Sequence, residues 1–296
     1  MTPRTTIVAL ITCIGLACGS PALVDGIEFA QYEDALGRVP GQRIPGAEQG
    51  RVLQGNVAAH QPHGGPQQLS LRPSMSPVKH QGARHTCATF ALVALLEAAG
   101  SPRLSEQCIS YLNPGGDPSF VWEGLQRVEK RGFLVDADRC PYDPVDRGRV
   151  PSEIFSSWPA APLPGVATAR AFPAASGDDP VAFLRAHLAE HSPVALSFYL
   201  FGPFWTNRDA VAQVAADFVP RPDHAQRGDL FHGTHTVVAV GYDDVAQTVE
   251  IKNSWGTSWK DGGYARLSYA YVRRFHSNHP ANNPMVAYSR AAQSML

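Results

Sequence analysis

Apolar residues fall in blocks of two kinds along this chain. Helix-length blocks lie in the first half and short β-branched runs in the second. A polar, glycine-bearing loop from Pro77 runs into an Ala/Leu-rich segment that has no internal Gly or Pro and stops at Gly100. That segment is apolar nearly all round, which predicts a helix buried on every side. Further helices are predicted at Leu104 to Leu112, Ser119 to Arg131 and Asp179 to His191, with a Pro-rich crossover from Arg139 to Pro164. Val194 to Leu200 reads as a strand, as does the run holding Val237, Val238 and Val240, which ends at Gly241. Val249 to Leu267 reads as strand, Gly-rich aromatic loop, strand. Phe201 to Phe231 reads as an inserted loop with a helix at Ala210 to Phe218, and Val24 to Ser70 as a Gly-, Pro- and Gln-rich leader with a short helix from Ile27 to Val39. Helices first and strands later argue for an α+β fold in two lobes.

Three side chains in this layout carry candidate chemistry. Cys87 stands at the first turn of the buried helix, beside backbone N–H groups that have no helical acceptor and at the positive end of the dipole. That setting favours the nucleophilic thiolate. The alternative is a small buried core cysteine, the usual fate of a lone Cys. His235, in GTHTVVAVGYDD, supplies a base. Asn253, in VEIKNSWGTSWKDGGYARL, supplies a group to orient that base. A nucleophile, a base and an orienting partner are what covalent catalysis by a thiol requires.

These motifs make the chain resemble the papain family of cysteine peptidases. The resemblance runs from about Leu71 to Leu267 and rests on PVKHQG before the cysteine, GTHTVVAVGYD around the histidine and IKNSWGTSW around the asparagine. His235 lies 148 residues beyond Cys87, inside the roughly 130–150 that separate the two roles in such enzymes. The resemblance implies a papain-like fold, a helical lobe plus an antiparallel β lobe with the active site in the cleft between them. It implies hydrolysis of peptide bonds through a thioester acyl-enzyme. Gln81 would donate to the oxyanion, together with the backbone N–H of Cys87. His235 would act as general base and acid, Asn253 would hold its ring, and Trp255 would shield that contact from water. Gly115 and Gly116, in NPGGDPSF, fall where the family binds substrate backbone, and glycine admits a close-lying peptide.

The departures are local. Ala88 follows the cysteine where a Trp is usual, His85 stands where many members have Gly, Arg84 where a disulfide cysteine is common, and Thr234 where Asp is frequent. None removes a catalytic residue. His85 and Arg84 alter the cleft wall, so His85 is counted among the substrate-contacting residues. The RPSMSP run and the missing loop cysteine are closer to bacterial members. Two other uses of the same residues are a non-catalytic module that binds peptides or a partner, which Ala88 and His85 favour, and acyl transfer to an acceptor other than water.

With 44% hydrophobic and 17% charged residues, the chain has ample material for a core. A net charge of −1 gives no electrostatic case for nucleic acid or anionic membrane. Residues 1–22 read as a secretory signal whose apolar run, Ile7 to Cys18, is too short to span a bilayer. Export to the periplasm or medium is expected, with a lipid anchor on Cys18 as the lesser alternative. Residues 23–70 read as a leader or short prosegment and 71–296 as the peptidase domain, its helical lobe about 71–163 and its β lobe about 164–296. Loss of Cys13 and Cys18 with the signal leaves three cysteines; Cys108 and Cys140 are the expected disulfide, with Cys87 as the odd thiol. All three reduced and buried is the alternative, less suited to an oxidising compartment. Neither H-E-x-x-H nor zinc-type cysteine pairs occur, so no metal or cofactor is expected among the 11 histidines. Glu97, inside the apolar helix, reads as a paired structural acid. The expected partner is a peptide or protein substrate of a monomeric enzyme, with no transmembrane segment after signal removal.

Overall fold

The computed structural model describes residues 66–111, 120–131, 136–145, 167–172, 179–201, 219, 231–276 and 285–290. Five helices and seven strands lie in these stretches. In chain order they are β1 (Gln68–Ser70), α1 (Cys87–Ala98), α2 (Glu106–Tyr111), α3 (Val121–Arg131), β2 (Ala167–Ala171), α4 (Pro180–Ala189), β3 (Val194–Phe201), β4 (Phe231–Asp243), β5 (Thr248–Lys252), β6 (Tyr264–Ser268), α5 (Tyr269–Phe275) and β7 (Val286–Arg290). A 3₁₀ turn at Arg72–Ser74 follows β1.

The helices cluster early and the strands form one antiparallel sheet in the order β2-β7-β3-β4-β5-β6, with β1 paired to the far end of β4. This is the expected α+β architecture. α1 is buried along ten consecutive residues, Cys87 to Leu96, as an all-round apolar helix must be. It packs on β4 and on α3, and Gly100, at φ +96°, closes it. The long strand β4 forms the centre of the sheet. Val237, Val238, Ala239 and Val240 are each at most 2% exposed, because β3 and β5 flank the strand and helices α1 and α4 pack against it.

The sheet begins earlier than the sequence pattern suggests. Gln68, Leu69 and Ser70 were assigned to the leader, yet they pair with Asp243, Tyr242 and Gly241. The ladder continues at both ends, from Asp244 N–H to the Gln67 carbonyl and from Leu71 N–H to the Val240 carbonyl. Strands β2 and β7 and helix α5 were not anticipated. α5 carries its own start signal, the Ser268 hydroxyl accepting from Tyr271 N–H. Asp179 caps α4 in the same way through Val181 N–H. The leader helix at Ile27 to Val39 and the Ala210 to Phe218 helix lie outside the described residues.

Candidate active site

The candidate base is built into the central strand. His235 stands in β4 opposite Phe198 of β3 and is 1% exposed. Its Nε2 lies 2.7 Å from Oδ1 of Asn253, the residue immediately after β5. The same Oδ1 accepts the Ser254 N–H at 2.7 Å. An oxygen that accepts from a backbone amide cannot donate, so Nε2 carries the hydrogen in this contact. In the neutral ring, Nδ1 is then the basic nitrogen. Asn253 is itself held by its N–H, which donates to the Gly263 carbonyl at 2.9 Å. The Trp255 ring lies over the imidazole at 4.5 Å and 33°, and Trp259 meets Trp255 edge-on at 5.7 Å. Burial pushes the His235 pKa down to about 4, against a smaller upward pull from Asn253.

Cys87 is the first residue of α1 and 1% exposed. The residue before it, Thr86, gives no side-chain cap to the helix. Its hydroxyl lies instead 2.6 Å from the Tyr142 hydroxyl. The Cys108–Cys140 disulfide is present as expected, with Cα atoms 6.1 Å apart.

Gln81 is 5% exposed and held at both ends of its carboxamide. Oε1 accepts the Ser254 hydroxyl at 2.7 Å, and Nε2 donates to the Arg84 carbonyl at 2.8 Å. Its backbone N–H donates to the Ser254 carbonyl at 2.8 Å, next to an isolated bridge between His80 and Trp255. The loop before Cys87 is therefore stitched to the segment after Asn253. His85 is exposed on this loop, while Gly115 and Gly116 lie outside the described residues.

Beneath the loop lies a charged cluster. Lys79 Nζ donates to Glu97 Oε1 at 2.8 Å and to Glu106 Oε1 at 2.6 Å, and Glu97 Oε1 also accepts the Leu104 N–H at 2.8 Å. Glu97 is thus the paired structural acid its helix position suggested. Burial raises the Glu106 pKa, with Lys79 opposing. Lys252, whose Nζ donates to the Ser76 carbonyl at 2.6 Å, is lowered to about 8 by burial.

Three contributors escaped the sequence reading: Ser254, Tyr142 and the buried Arg84 side chain. Ser254 had a visible signal, since it sits inside the NSWG run. The other two had none beyond the substitution at position 84.

Residues 65–281 match the model of the papain family of cysteine proteases, and the chain belongs to that family. It is 28% identical over 211 residues to mouse pro-cathepsin H (64% of this chain, 55% of that protein). It is 29% identical over 217 residues to cysteine proteinase 3 of Entamoeba histolytica (69% and 63%). The chain thus spans under two thirds of the length of these relatives. Among solved structures it resembles xylellain, a cysteine protease from Xylella fastidiosa, with a TM-score of 0.57 and 20% identity over 77% of this chain and 87% of that one. That likeness concerns the fold and accords with the bacterial character of the RPSMSP stretch.

Proposed function

We propose that the chain is a cysteine-type peptidase in which reduced Cys87 attacks the carbonyl carbon of a peptide bond. His235 takes the thiol proton at Nδ1 and returns it to the leaving amine. The Gln81 side-chain amide and the Cys87 N–H stabilise the oxyanion. A thioester forms, water activated by the same histidine hydrolyses it, and the carboxylic acid and free thiol are released. Asn253 keeps the imidazole in the reactive tautomer, and Trp255 keeps water from that contact.

The observation that carries this reading is the His235–Asn253 contact, with the amide oxygen fixed by Ser254 N–H so that Nδ1 is the basic nitrogen. The reading extends to Gly115 and Gly116 as binders of substrate backbone, to His85 as part of a subsite wall, and to a cleft between lobes of about 71–163 and 164–296. It also includes export with loss of residues 1–22, a leader that serves as a short prosegment and a monomeric enzyme. A buried disulfide suits an oxidising compartment. Among the described residues no helix is long and apolar enough to cross a membrane.

The test is turnover of a mixed peptide library by the reduced protein and by Cys87→Ala, with labelling by a thiol-directed peptidyl epoxide. Cleavage and labelling that both vanish in the variant support the reading. Labelling without turnover points to a binding module, and products carrying an added amine point to acyl transfer. Cleavage retained in Cys87→Ala at a tenth of the wild-type rate overturns the nucleophile assignment.

A further inference from the structure

Arg84 is 6% exposed, an unusual place for a guanidinium. Its Nη1 donates to Gln107 Oε1 at 2.5 Å and to the Asp143 carbonyl at 2.9 Å, and its Nη2 donates to the Ser110 hydroxyl at 3.1 Å. Its central carbon sits 4.7 Å from the centre of the Tyr142 ring. Gln107 and Ser110 flank Cys108 on α2, and Tyr142 and Asp143 follow Cys140. The fork therefore bridges both ends of the Cys108–Cys140 disulfide. A planar fork with several donors fixes its own position more tightly than an ammonium does.

The backbone of the same residue faces the reaction. The Arg84 carbonyl accepts the Gln81 Nε2 hydrogen, Ser254 donates to the opposite end of that amide, and Tyr142 donates its hydroxyl hydrogen to the Gln81 carbonyl at 2.8 Å. The donor end of the amide is set by the Arg84 carbonyl itself, and the Gln81 backbone is held by Tyr142, whose ring lies under the guanidinium. On the reading that Gln81 stabilises the oxyanion, we propose that Arg84 is a positioning residue. Its guanidinium anchors the loop to the disulfide-bridged platform, so that its carbonyl fixes the orientation of the Gln81 amide toward the developing negative charge. Arg84 contacts no reacting atom, and its effect passes through Gln81.

The test is a double-mutant cycle on the full chain, with Arg84→Lys, Arg84→Met, Gln81→Ala and the two combinations. Arg84→Lys and Arg84→Met are expected to lower kcat by roughly 10- to 100-fold, with KM changed by no more than about twofold. In the Gln81→Ala background the same changes should cost less than about threefold, because the group they aim is gone. Equal costs in both backgrounds, a loss confined to KM, or wild-type kcat in Arg84→Lys each overturn the proposal. So does an Arg84→Lys protein that fails to fold, since the residue is then a structural support. A Gln81→Ala protein with undiminished kcat instead overturns the oxyanion assignment on which the proposal rests.

Discussion

The Nε2 of His235 in β4 and the Oδ1 of Asn253, just past the neighbouring strand β5, lie 2.7 Å apart although they are 18 residues apart in sequence. The contact settles which ring nitrogen holds the proton. It also pulls the ring's basicity upward against the larger effect of burial, which takes the pKa down to about 4. In Cys87→Ala, where no thiolate faces the ring, an NMR titration of His235 should give a midpoint near 4. Asn253→Ala should move it lower still and cut kcat roughly 10- to 100-fold through loss of the reactive tautomer. A midpoint at or above 6.5 would mean that water reaches the ring.

Stability follows from the same shift. A ring that titrates near 6.5 when unfolded and near 4 when folded binds fewer protons in the fold between those values. Stability therefore falls as pH drops from 6.5 toward 4 and gains nothing from His235 above that window. Urea midpoints at pH 7 and pH 5 should separate more in Cys87→Ala than in Cys87→Ala with His235→Gln; equal separations would remove His235 from the acid sensitivity.

Gln81→Ala should lower kcat by roughly 10²- to 10³-fold with little change in KM, because in the proposed mechanism its amide acts as charge develops on the carbonyl oxygen. Steady-state kinetics on one peptide suffice. An effect on KM alone would make Gln81 a ground-state contact.

Lys79 neutralises two acids that are almost fully enclosed, Glu97 and Glu106. Lys79→Met should cost about 3 kcal/mol by leaving both carboxylates facing one another. That corresponds to a melting point lower by roughly 6–12 °C. Calorimetry reads this directly, and an unchanged melting point would show that the acids are protonated or rehydrated without cost.

His85 projects from the loop between Gln81 and α1 and is exposed. His85→Gly should raise kcat/KM by about tenfold for peptides with a bulky residue before the cleaved bond and little for small ones. A uniform change across a matched substrate series would place His85 outside that subsite.

The core elements were legible because their signals were local. α1 has only apolar and small residues over ten positions, and β4 carries three valines in four. Both reach the centre of the fold, where pattern and burial coincide. β2 was not legible, because Ala167–Ala171 reads ATARA and has one β-branched residue. β7 follows a Pro/Asn-rich stretch that suggests loop. Each is made a strand by pairing with the other across more than 110 residues, a tertiary effect that no window detects. In the site, the motif residues were visible because their spacing is characteristic. The Arg84 web was hidden, since its acceptors lie 23 to 59 residues away and include a backbone carbonyl. An arginine in a polar loop otherwise reads as solvated surface.

The attachment of that loop also bears on how the enzyme must be kept. In the proposed mechanism the Cys87 sulfur attacks as a thiolate, so the medium must keep it reduced. Ion–dipole and aromatic contacts hold no electrons to exchange. A thiol buffer that keeps Cys87 reduced therefore leaves the guanidinium anchor intact, and the Cys108–Cys140 sulfurs behind it are shielded by burial at 1% and 3% exposure. Activation and structural integrity thus respond to different reagents: one to the redox potential of the medium, the other to denaturant and heat.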